Sequence, residues 1–537
     1  VAGALVLLLL AGCCRMPVPS SAAEAVDFYR RRGERAYAEG RYPEAAAAWH
    51  KGLDAAHSAQ RAGAAAGFMV DLSRAEEGMG QYAAALDHAS SALELLGEGG
   101  APATRCRALI QKGLAHRRMA RYAAARPYFD RALEIARRLA DPRLESESLR
   151  NIAALLQDLA KEASLLVTDD HPLRESRQIL ANLAEKLPVR IEAVDGNGLL
   201  PLRSADCEFS TAYAFRRFLQ RNLLGHMLEM PLADPLAEVK LPPLDKLPEA
   251  LARQPSVTKT ALLTEIRRSL PMLPIDQKVG AVALSGGQGA AIQLFEHFLD
   301  QGLPRYATQR NQPDLEVTSG LSPYLRWGHI SAHQVVHELL QRAHWTPGHL
   351  NPDSRGQRSG WWGLDENNEA FLDQLITWRE LGYQFCARRD DYQQFSSLPD
   401  WAQQTLLHHA GEPRPYLYDR DQLAAGQTHD SLWNAAQNQL VSEGRMHNYL
   451  RMLWGKKILE WSPSPEAALE VMIELNDRYA LDGRDPNSYS GIGWCLGRFD
   501  RAWGPERPIF GKIRYMSSAN TARKVSVKNY LRRYGNK

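Results

Sequence analysis

The pattern of apolar and polar positions divides the chain into a helical first part and a second part that begins near residue 164. Between residues 25 and 163, alanine-rich amphipathic stretches recur every forty residues, and each is marked by a tyrosine, at Tyr42, Tyr82 and Tyr122. Trp49 and Phe129 follow the first and third tyrosines at equal distances. Apolar residues at helical spacing predict amphipathic helices, and small alanine side chains let paired helices approach closely.

This forty-residue pattern resembles tetratricopeptide repeats, although its period is longer than the ~34 residues usual for that family. Stacked repeats of this kind form a concave surface. We therefore predict a protein partner for residues 25–163 and no catalytic role for them. A plain helical bundle is the alternative, and it would contain the same helices and likewise no catalytic residues.

The pattern changes between residues 164 and 230. The apolar run 165–170 indicates a buried strand, residues 174–186 indicate a helix, and residues 189–194 indicate a second strand. This order predicts a βαβ unit with a parallel sheet. Since two strands are too few for a complete sheet, we interpret 164–230 as a truncated α/β, Rossmann-like region.

Prolines then crowd into residues 231–255, which we predict to be a linker. From 256 to 537 the chain is mostly amphipathic helix. The predicted fold class is therefore mainly α, with helical repeats, the truncated α/β region and an all-helical C-terminal domain.

Residues 1–24 are interpreted as a lipoprotein-type signal and tether. The first twelve residues are almost wholly apolar, but a bilayer takes ~20 residues to cross. Leu10-Ala11-Gly12-Cys13 resembles a bacterial lipobox, in which Cys13 carries the lipid. The chain starts at Val1 without the positive charges that open a signal peptide, so we expect it to begin inside a longer reading frame. A buried apolar strand or helix is the alternative.

Composition excludes several broad classes. The chain has 537 residues, 45% of them hydrophobic and 24% charged, with a net charge of +3. It is therefore not a disordered acidic tail, a collagen-like fibre or a small disulfide scaffold. Eleven of the twelve tryptophans lie between Trp327 and Trp503, which separates the C-terminal half from the repeats. The six cysteines include no Cys-x-x-Cys pair, so we predict no metal site.

Charge is concentrated at the C-terminal end. Between residues 501 and 537, ten lysines and arginines stand against one acid, Glu506. A basic end of this kind suits contact with phosphates, and a solvated tail is the alternative.

Two stretches are candidate phosphate sites. Ser285-Gly286-Gly287-Gln288-Gly289 lacks the Gly-Lys-Ser/Thr ending of a phosphate loop, so we interpret it as the cap of a helix over 290–299. The run 318–325 places two hydroxyls and a glycine ahead of a predicted helix. Free N–H groups at a helix start and nearby hydroxyls bind anions, and a diphosphate would fit there.

Several separated runs in the C-terminal half, taken together, resemble class II deoxyribodipyrimidine photo-lyases. The resemblance covers 164–537 and is strongest over 305–520. Its main runs include Leu432-Trp433-Asn434, Asn448-Tyr449-Leu450-Arg451-Met452-Leu453-Trp454, Leu475-Asn476-Asp477-Arg478, Leu481-Asp482-Gly483-Arg484-Asp485-Pro486-Asn487, Gly491-Ile492-Gly493-Trp494 and Gly511-Lys512-Ile513-Arg514-Tyr515-Met516. Because many motifs occur in the family's order, the match is more specific than any one of them.

The resemblance implies light-dependent repair of cyclobutane pyrimidine dimers by electron transfer from excited reduced FAD to a dimer flipped out of DNA. A cofactor is needed because no side chain donates one electron in this way at neutral pH. By the family pattern, the phosphates and ribityl chain of FAD would be held by Tyr306, Thr318, Ser319, Gly320, Leu321 and Ser322. Arg451 and Asp482 would form an ion pair beside the isoalloxazine, and Asn476 would face its N5 atom. Helix capping and ordinary surface ion pairs are the alternative explanation.

Five tryptophans take roles by the same comparison. Trp433, Trp454 and Trp461 match the family's electron-transfer chain. Trp378 and Trp494, with Met452, match residues that pack around the dimer, and flat apolar walls suit flipped bases. The other six tryptophans after residue 300 are assigned to core packing.

Contacts with double-stranded DNA that carries pyrimidine dimers are predicted for Arg310, Lys512 and Arg514, together with the basic end. Such residues position the DNA backbone, and an arginine can fill the gap left by an extruded dimer. The catalytic domain is expected to be monomeric.

Two departures from the family pattern stand out. Gln374 replaces a glutamate that reaches the dimer; an amide still donates and accepts a hydrogen bond but carries no charge, so we expect a lower repair yield. Only the last part of the family's N-terminal α/β domain is present, which leaves unpaired strand edges and puts an antenna pigment site there in doubt.

The two halves of the chain indicate different compartments, because a lipobox directs export whereas repair of chromosomal DNA is cytoplasmic. We therefore hypothesise that two genes were joined near codons 150–175. The alternative functions are a cryptochrome-like blue-light receptor without repair, and a membrane-tethered repeat scaffold with an inert flavin domain.

Overall fold

The computed structural model describes residues 21–240 and 276–535, apart from positions 98, 140, 142, 145, 149, 229, 233, 236, 238 and 239 and all of 152–164 except 154 and 158. The lipobox and residues 241–255 of the predicted linker lie outside the described residues. Chain contacts define two compact units, of which the first extends to Ser164 and the second comprises Leu165–Lys186, Arg190–Lys240 and Gln277–Lys537. Across the described ranges, no helix has the length and apolar character needed to cross a membrane.

Over the described residues 22–138, the first unit contains six helices of similar length, each packed on its neighbours in sequence. Tyr42, Tyr82 and Tyr122, which mark the repeat, are each the first residue of a helix. The aromatic side chains that follow them are buried against glycines: a Cβ on Gly33 would lie 2.1 Å from the Trp49 ring. The helices are α1 (Ala22–Ala38), α2 (Tyr42–Ser58), α3 (Ala62–Gly78), α4 (Tyr82–Leu96), α5 (Pro102–Arg118) and α6 (Tyr122–Arg138).

The second unit begins with the βαβ segment expected from the pattern. Strands β1 (Leu165–Asp169) and β2 (Arg190–Val194) are parallel, with Leu165 opposite Arg190, and α7 (Arg174–Lys186) connects them. These two strands form the only sheet in the described part of the chain. The prediction that the run 165–170 is a buried strand is wrong: Leu165 is 41% and Val167 59% exposed, because a two-stranded sheet lacks the neighbours that would cover it.

The rest of the second unit is helical. Its longer helices are α8 (Ala212–Met227), α9 (Gln288–His297), α12 (Ala332–Arg342), α14 (Arg379–Arg388), α15 (Asp400–His408), α17 (Ser431–Glu443), α18 (Asn448–Trp461), α19 (Pro465–Tyr479) and α20 (Pro486–Cys495). The short helices are α10 (Tyr306–Gln309), α11 (Ser322–Arg326), α13 (Glu366–Leu372), α16 (Arg420–Ala424), α21 (Ser518–Lys524) and α22 (Lys528–Tyr534). Turns of π-helix occupy Phe298–Gly302 and Asp373–Trp378, and 3₁₀ turns occupy Leu202–Ser204, Leu303–Arg305, Pro347–His349 and Phe395–Ser397.

Helix starts in this unit follow ordinary capping chemistry. The Asp430 carboxylate accepts from the N–H groups of Leu432 and Trp433 at the start of α17. Asp485 caps α20 in the same way, and proline follows it at the first helical position, where a missing N–H costs nothing. The sequence of this region therefore determines where the helices that carry the site begin.

Two apolar cores fill the second unit. One is built around Phe215, Phe295, Phe298 and Phe371, and the other around the three buried tryptophans of α17 and α18. The predicted fold class, mainly α with a small parallel sheet, is confirmed.

Candidate active site

A cavity of about 550 Å³ opens between the two cores of the helical region. Phe371 and Leu375 from the first core and Met446 and Tyr530 from the second contribute to its walls. Small-molecule and cofactor sites typically enclose roughly 300–1,000 Å³, so the cavity is of a size that takes a large cofactor.

Eleven of the nineteen residues predicted for the site line this cavity. They are Tyr306, Arg310, Thr318, Ser319, Gly320, Leu321, Ser322, Gln374, Trp378, Arg451 and Asp482. Asn476, Met452, Trp494, Lys512, Arg514 and the three tryptophans Trp433, Trp454 and Trp461 are not in its wall.

Tyr306 and Arg310 form one side of the cavity. The Tyr306 ring packs edge-to-face on Phe371 with centroids 5.5 Å apart, and the Arg310 guanidinium lies 5.5 Å from the centre of the Tyr306 ring. Burial raises the pKa of Tyr306, so its hydroxyl stays protonated at neutral pH. Arg310, predicted to contact DNA, lies instead beside a predicted cofactor ligand.

The stretch 318–322 forms a cradle next to this side. Gly320 has φ of +64°, a left-handed conformation that glycine adopts without strain, and a Cβ there would lie 3.3 Å from Leu294 Cδ2. Ser319 Oγ accepts a hydrogen bond from Leu321 N at 3.4 Å. All five residues of the stretch line the cavity, so its backbone and hydroxyl groups border the space that a ligand would occupy.

Arg451 and Asp482 face one another across the cavity wall. Arg451 Nη2 lies 3.3 Å from Asp482 Oδ1 and 3.4 Å from Oδ2, and 31% and 13% of the two side chains are exposed. The ion pair expected from the sequence is thus present. Asn476 lies apart from the cavity surface: it is 6% exposed, and its Nδ2 donates to Asp477 Oδ1 at 3.2 Å.

The three tryptophans of the predicted electron chain are buried side by side. Trp433 Nε1 donates to the backbone oxygen of Trp454 at 3.0 Å, and the Trp433 and Trp461 rings lie 5.4 Å apart. Trp454 is one helical turn beyond Arg451, which lines the cavity. Contacts therefore link Trp461 through Trp433 to the backbone of Trp454, which lies one turn from a residue of the cavity wall.

Trp378 and Trp494 stack on one another although 116 positions separate them. Their ring centroids are 4.6 Å apart and their planes differ by 19°. Gln374 lies one turn before Trp378 and lines the same cavity. Met452 does not reach it; its Sδ atom lies 3.8 Å from Cys495 Sγ.

Lys512 and Arg514 lie on the exposed surface, away from the cavity. Lys512 Nζ is 3.3 Å from Glu506, and the Arg514 guanidinium lies 5.1 Å from the centre of the Trp503 ring. Not all of the basic end is available for phosphates, because Arg533 pairs with Glu316 and Glu443 at 2.8 Å each.

His447 is a cavity residue that sequence reasoning missed. Both ring nitrogens are buried, and neither has a hydrogen-bond partner among the described residues. Burial, with a smaller effect of Arg445, lowers the pKa of His447 to about 4, so the ring is neutral at physiological pH. In the sequence, His447 directly precedes the run 448–454, which carries part of the family resemblance.

A polar network that includes two residues of the cavity wall was also not predicted from the sequence. Arg379 Nη2 donates to Tyr383 Oη at 3.1 Å, and Tyr383 Oη donates to Asp485 Oδ2 at 3.0 Å. Arg379 and Asp485 line the cavity. Asp485 belongs to the run 481–487 that carries part of the family resemblance, but spacing alone does not say which charged residue of a run turns inward.

The loop that carries Lys512 is tied to the helix α15 region by a histidine between two carboxylates. His409 Nδ1 lies 2.8 Å from Glu412 Oε1, and Nε2 lies 3.4 Å from Glu506 Oε2. Hydrogen bonds to Glu412 and then Glu506 raise the pKa of His409 above 6.5. Ile509 N–H and His409 lower the pKa of Glu412, and Lys512 and His409 lower that of Glu506.

We expect the stabilising effect of His409 to disappear as pH rises. A histidine with a raised folded-state pKa stabilises fully below its unfolded value of 6.5 and loses that contribution as pH passes the folded value. The carboxyl contributions behave oppositely and are lost as pH falls below 4.5. The melting temperature of His409→Gln should thus lie below that of the unchanged protein at about pH 6 and approach it at about pH 9. His408→Gln, an exposed neighbour, is the control; an equal gap at both pH values would contradict the prediction.

Comparison with known proteins gives close relatives for most of the chain. The chain is 33% identical over 381 residues to the deoxyribodipyrimidine photo-lyase of Methanothermobacter thermautotrophicus, covering 71% of this chain and 76% of that protein. It is 36% identical over 394 residues to the deoxyribodipyrimidine photo-lyase of Oryza sativa, covering 71% and 70% of the two chains. The protein of that name from Arabidopsis thaliana is 33% identical over 407 residues, covering 72% and 75%.

No protein-family model matches the chain. Among solved structures, a class III photolyase from Agrobacterium tumefaciens matches with a TM-score of 0.49 and 18% identity, over 71% of this chain and 70% of that one. A structural match with this TM-score and identity does not identify a family, so the family assignment depends on the sequence relatives. Because three of them exceed 30% identity and are covered over more than two thirds of their length, the chain belongs to the deoxyribodipyrimidine photo-lyase family.

Proposed function

We propose that this chain is a class II deoxyribodipyrimidine photo-lyase that holds FAD in the cavity and repairs cyclobutane pyrimidine dimers in double-stranded DNA under light. The observation that carries the proposal is the arrangement of one cavity. The residues predicted to bind the cofactor form one part of its wall, and Gln374 and Trp378, predicted to contact the dimer, form another. Cofactor and lesion would therefore lie within the same enclosure.

The residues of the cavity fit FAD. Backbone at Gly320 and the hydroxyls of Thr318, Ser319 and Ser322 suit a diphosphate, and Arg310 adds a positive charge nearby. The unpartnered nitrogens of His447 supply polar contacts that nothing among the described residues satisfies. Bound FAD would supply the light-driven one-electron chemistry that ring splitting requires.

The protein's own part is to hold, orient and exclude water. The Arg451–Asp482 pair would fix the charge beside the isoalloxazine without adding net charge. The tryptophan path from Trp454 through Trp433 to Trp461 would return the cofactor to its reduced form. Trp378, stacked on Trp494, would offer a flat apolar face to extruded bases, whose stacking partners remain in the duplex.

A blue-light receptor without repair is the second candidate, and Gln374 is the observation that favours it. An amide cannot place a negative charge against the dimer or carry a proton as a carboxyl group can. The stacked tryptophans favour repair, because a receptor has no need for a pocket shaped to bases.

Further proposals concern the compartment, the repeats and the N-terminal segment. We infer a cytoplasmic repair module preceded by tetratricopeptide-like repeats that bind a protein, with the lipobox at Cys13 derived from a joined gene. Sequencing the messenger RNA across codons 150–175 tests this; one continuous native message would contradict the joining. The five predicted segments and a monomeric catalytic domain stay predictions, as does the doubt about an antenna pigment site.

The test of function uses the full chain and an oligonucleotide that carries one cyclobutane dimer. We expect the purified protein to hold FAD and, once reduced, to remove the dimer under blue light and not in the dark. A receptor would hold FAD and respond to light without removing the dimer. Failure of repair with bound, reduced FAD and bound DNA would overturn the proposal.

Gln374→Glu is expected to raise the yield of repair per absorbed photon several-fold. A charge-assisted hydrogen bond from the carboxylate would stabilise the bound dimer by about 1 kcal/mol more than the amide does. The side chains are nearly the same size, so the fold should not change. The measurement is dimer loss under limiting light, with Gln404→Glu, at an exposed glutamine outside the cavity, as the control. No gain with Gln374→Glu would show that the amide serves equally well.

A further inference from the structure

A buried ion pair links helix α8 to the turn that carries the proposed lesion wall. Arg216 Nε lies 2.8 Å from Asp373 Oδ1, and its Nη2 lies 3.2 Å from Oδ2, so the contact is bidentate. The two side chains are 5% and 12% exposed. A buried pair with both oxygens engaged fixes the carboxylate in orientation as well as in distance.

Asp373 is the first residue of the π-helical turn Asp373–Trp378. Gln374, Leu375 and Trp378 line the main cavity, whereas Asp373, Ile376 and Thr377 line a small cleft shared with Arg216. The turn thus presents one set of side chains to the cavity and the other to α8. Holding Asp373 therefore fixes how the turn is rotated, and with it where Gln374 and Trp378 point.

A π-helical turn depends on stabilising contacts from other elements more than an α-helix does. Its backbone hydrogen bonds skip one residue further than those of an α-helix, which makes it a rare and locally irregular element often found at functional sites. Nothing in the sequence of the turn demands it: the run Asp373-Gln374-Leu375-Ile376-Thr377-Trp378 contains no proline or glycine. Contacts from outside the turn must then select its conformation.

The same face of α8 also holds the loop that precedes α13. Gln220 Oε1 accepts from Gly356 N at 2.7 Å, Gln220 Nε2 donates to the Gln357 carbonyl at 3.0 Å, and Arg216 Nη1 reaches the Gly356 carbonyl at 3.5 Å. A Cβ on Gly356 would lie 2.5 Å from Arg217 Cγ, so the loop has no room to move toward α8. Helix α8 therefore contacts both the loop at Gly356 and the π-helical turn, and it holds the turn in place through Arg216.

We propose that Arg216 and Asp373 are positioning residues for lesion recognition: their ion pair holds the π-turn so that Gln374 and Trp378, the latter stacked on Trp494, form the wall against which the dimer is bound. The inference rests on the proposed function. It places a determinant of the lesion pocket upstream of the proline-rich segment, in the region that the sequence assigned to the truncated α/β part.

The test compares Asp373→Asn and Arg216→Met in the full chain with the unchanged protein. Affinity for a dimer-containing oligonucleotide is measured by fluorescence anisotropy, and flavin photoreduction is measured in the same samples. We expect affinity to fall roughly 10- to 100-fold, the scale of losses when a positioned group shifts by about 1 Å. Photoreduction should be unchanged, because the tryptophan path lies in the other core.

A spectroscopic reading separates positioning from general instability. Stacked indoles 4.6 Å apart contribute a paired circular-dichroism signal, in addition to that of other close tryptophans such as Trp361 and Trp362. The difference spectrum against the reference variant Trp494→Phe isolates the contribution of the Trp378–Trp494 pair, and this difference should shrink in both variants. Arg342→Met, which removes an exposed pair with Asp300, is the control and should change neither affinity nor signal. If Arg216→Met fails to fold, Arg216→Lys keeps the charge without the bidentate contact, and a smaller loss of affinity is expected.

Two results would overturn the inference. One is lesion affinity and tryptophan signal close to those of the unchanged protein in both charge variants. The other is parallel loss of lesion affinity and photoreduction, which would indicate general damage to the domain. Absence of dimer binding by the unchanged protein would instead defeat the proposed function, so the two failures are distinguishable.

Discussion

Trp433→Phe is expected to abolish the photoreduction of bound FAD. Trp433 lies between the other two members of the path, with its Nε1 bonded to the Trp454 backbone and its ring 5.4 Å from that of Trp461. Phenylalanine is far harder to oxidise than tryptophan, so an electron hole on Trp454 would have no onward route. The hole would then return to the flavin before an external donor could fill it.

The substitution should leave the fold and the lesion side intact. Trp433 is completely buried, so the smaller ring costs of the order of 1 kcal/mol or somewhat more in packing, which a domain of this size tolerates. Enzyme reduced chemically in the dark should repair dimers as the unchanged protein does. Absorbance under illumination measures photoreduction, and Trp327→Phe, at a ring that is 62% exposed and outside the path, is the control. Undiminished photoreduction in Trp433→Phe would show that electrons take another route.

Arg451→Met is expected to weaken FAD binding roughly 30-fold, or ~2 kcal/mol. Removing one partner of a buried ion pair costs about 3–5 kcal/mol, because the remaining charge stays unpaired. The value is reduced here because 31% of the Arg451 side chain reaches solvent. Asp482 would be left as a lone negative charge in the wall of a cavity that must take an anionic cofactor.

The double variant Arg451→Met with Asp482→Leu is the matched comparison. It removes both charges, so most of the lost affinity should return if the unpaired carboxylate is the cause. Quenching of flavin fluorescence on titration gives the dissociation constants. Equal weakening in the single and the double variant would mean that Arg451 contacts FAD directly, and no weakening in either would remove the pair from the site.

The two experiments address different halves of the proposed mechanism. The first concerns the supply of electrons and the second the hold on the cofactor, and neither touches the wall formed by Gln374 and Trp378. Together with the Asp373→Asn and Arg216→Met variants, they separate reduction, cofactor binding and lesion recognition into independently measurable properties.

Local pattern was sufficient for much of this protein. Helical periodicity predicts the amphipathic helices of residues 25–163, and in the structure three of them begin at Tyr42, Tyr82 and Tyr122. The prediction succeeds because the apolar residues that one helix face buries are close together in the sequence. Short apolar runs on either side of a helical stretch predict the βαβ segment for the same reason. The motifs around Arg451 and Asp482 led to the family and to an ion pair that the structure contains.

Contacts between distant positions required the folded chain. No spacing rule relates Trp378 to Trp494, Arg216 to Asp373, or Arg379 to Asp485 through Tyr383, because each pair meets only when separate helices pack. The same holds for direction: the structure places Arg310 in the cavity wall and Asn476 beside Asp477 outside that wall, and the predicted DNA contact of Arg310 and cofactor contact of Asn476 stay predictions. Periodicity reports which face of an element is apolar, but which polar residue meets which partner depends on how helices are arranged in space, and that arrangement is decided by the packing of the two cores.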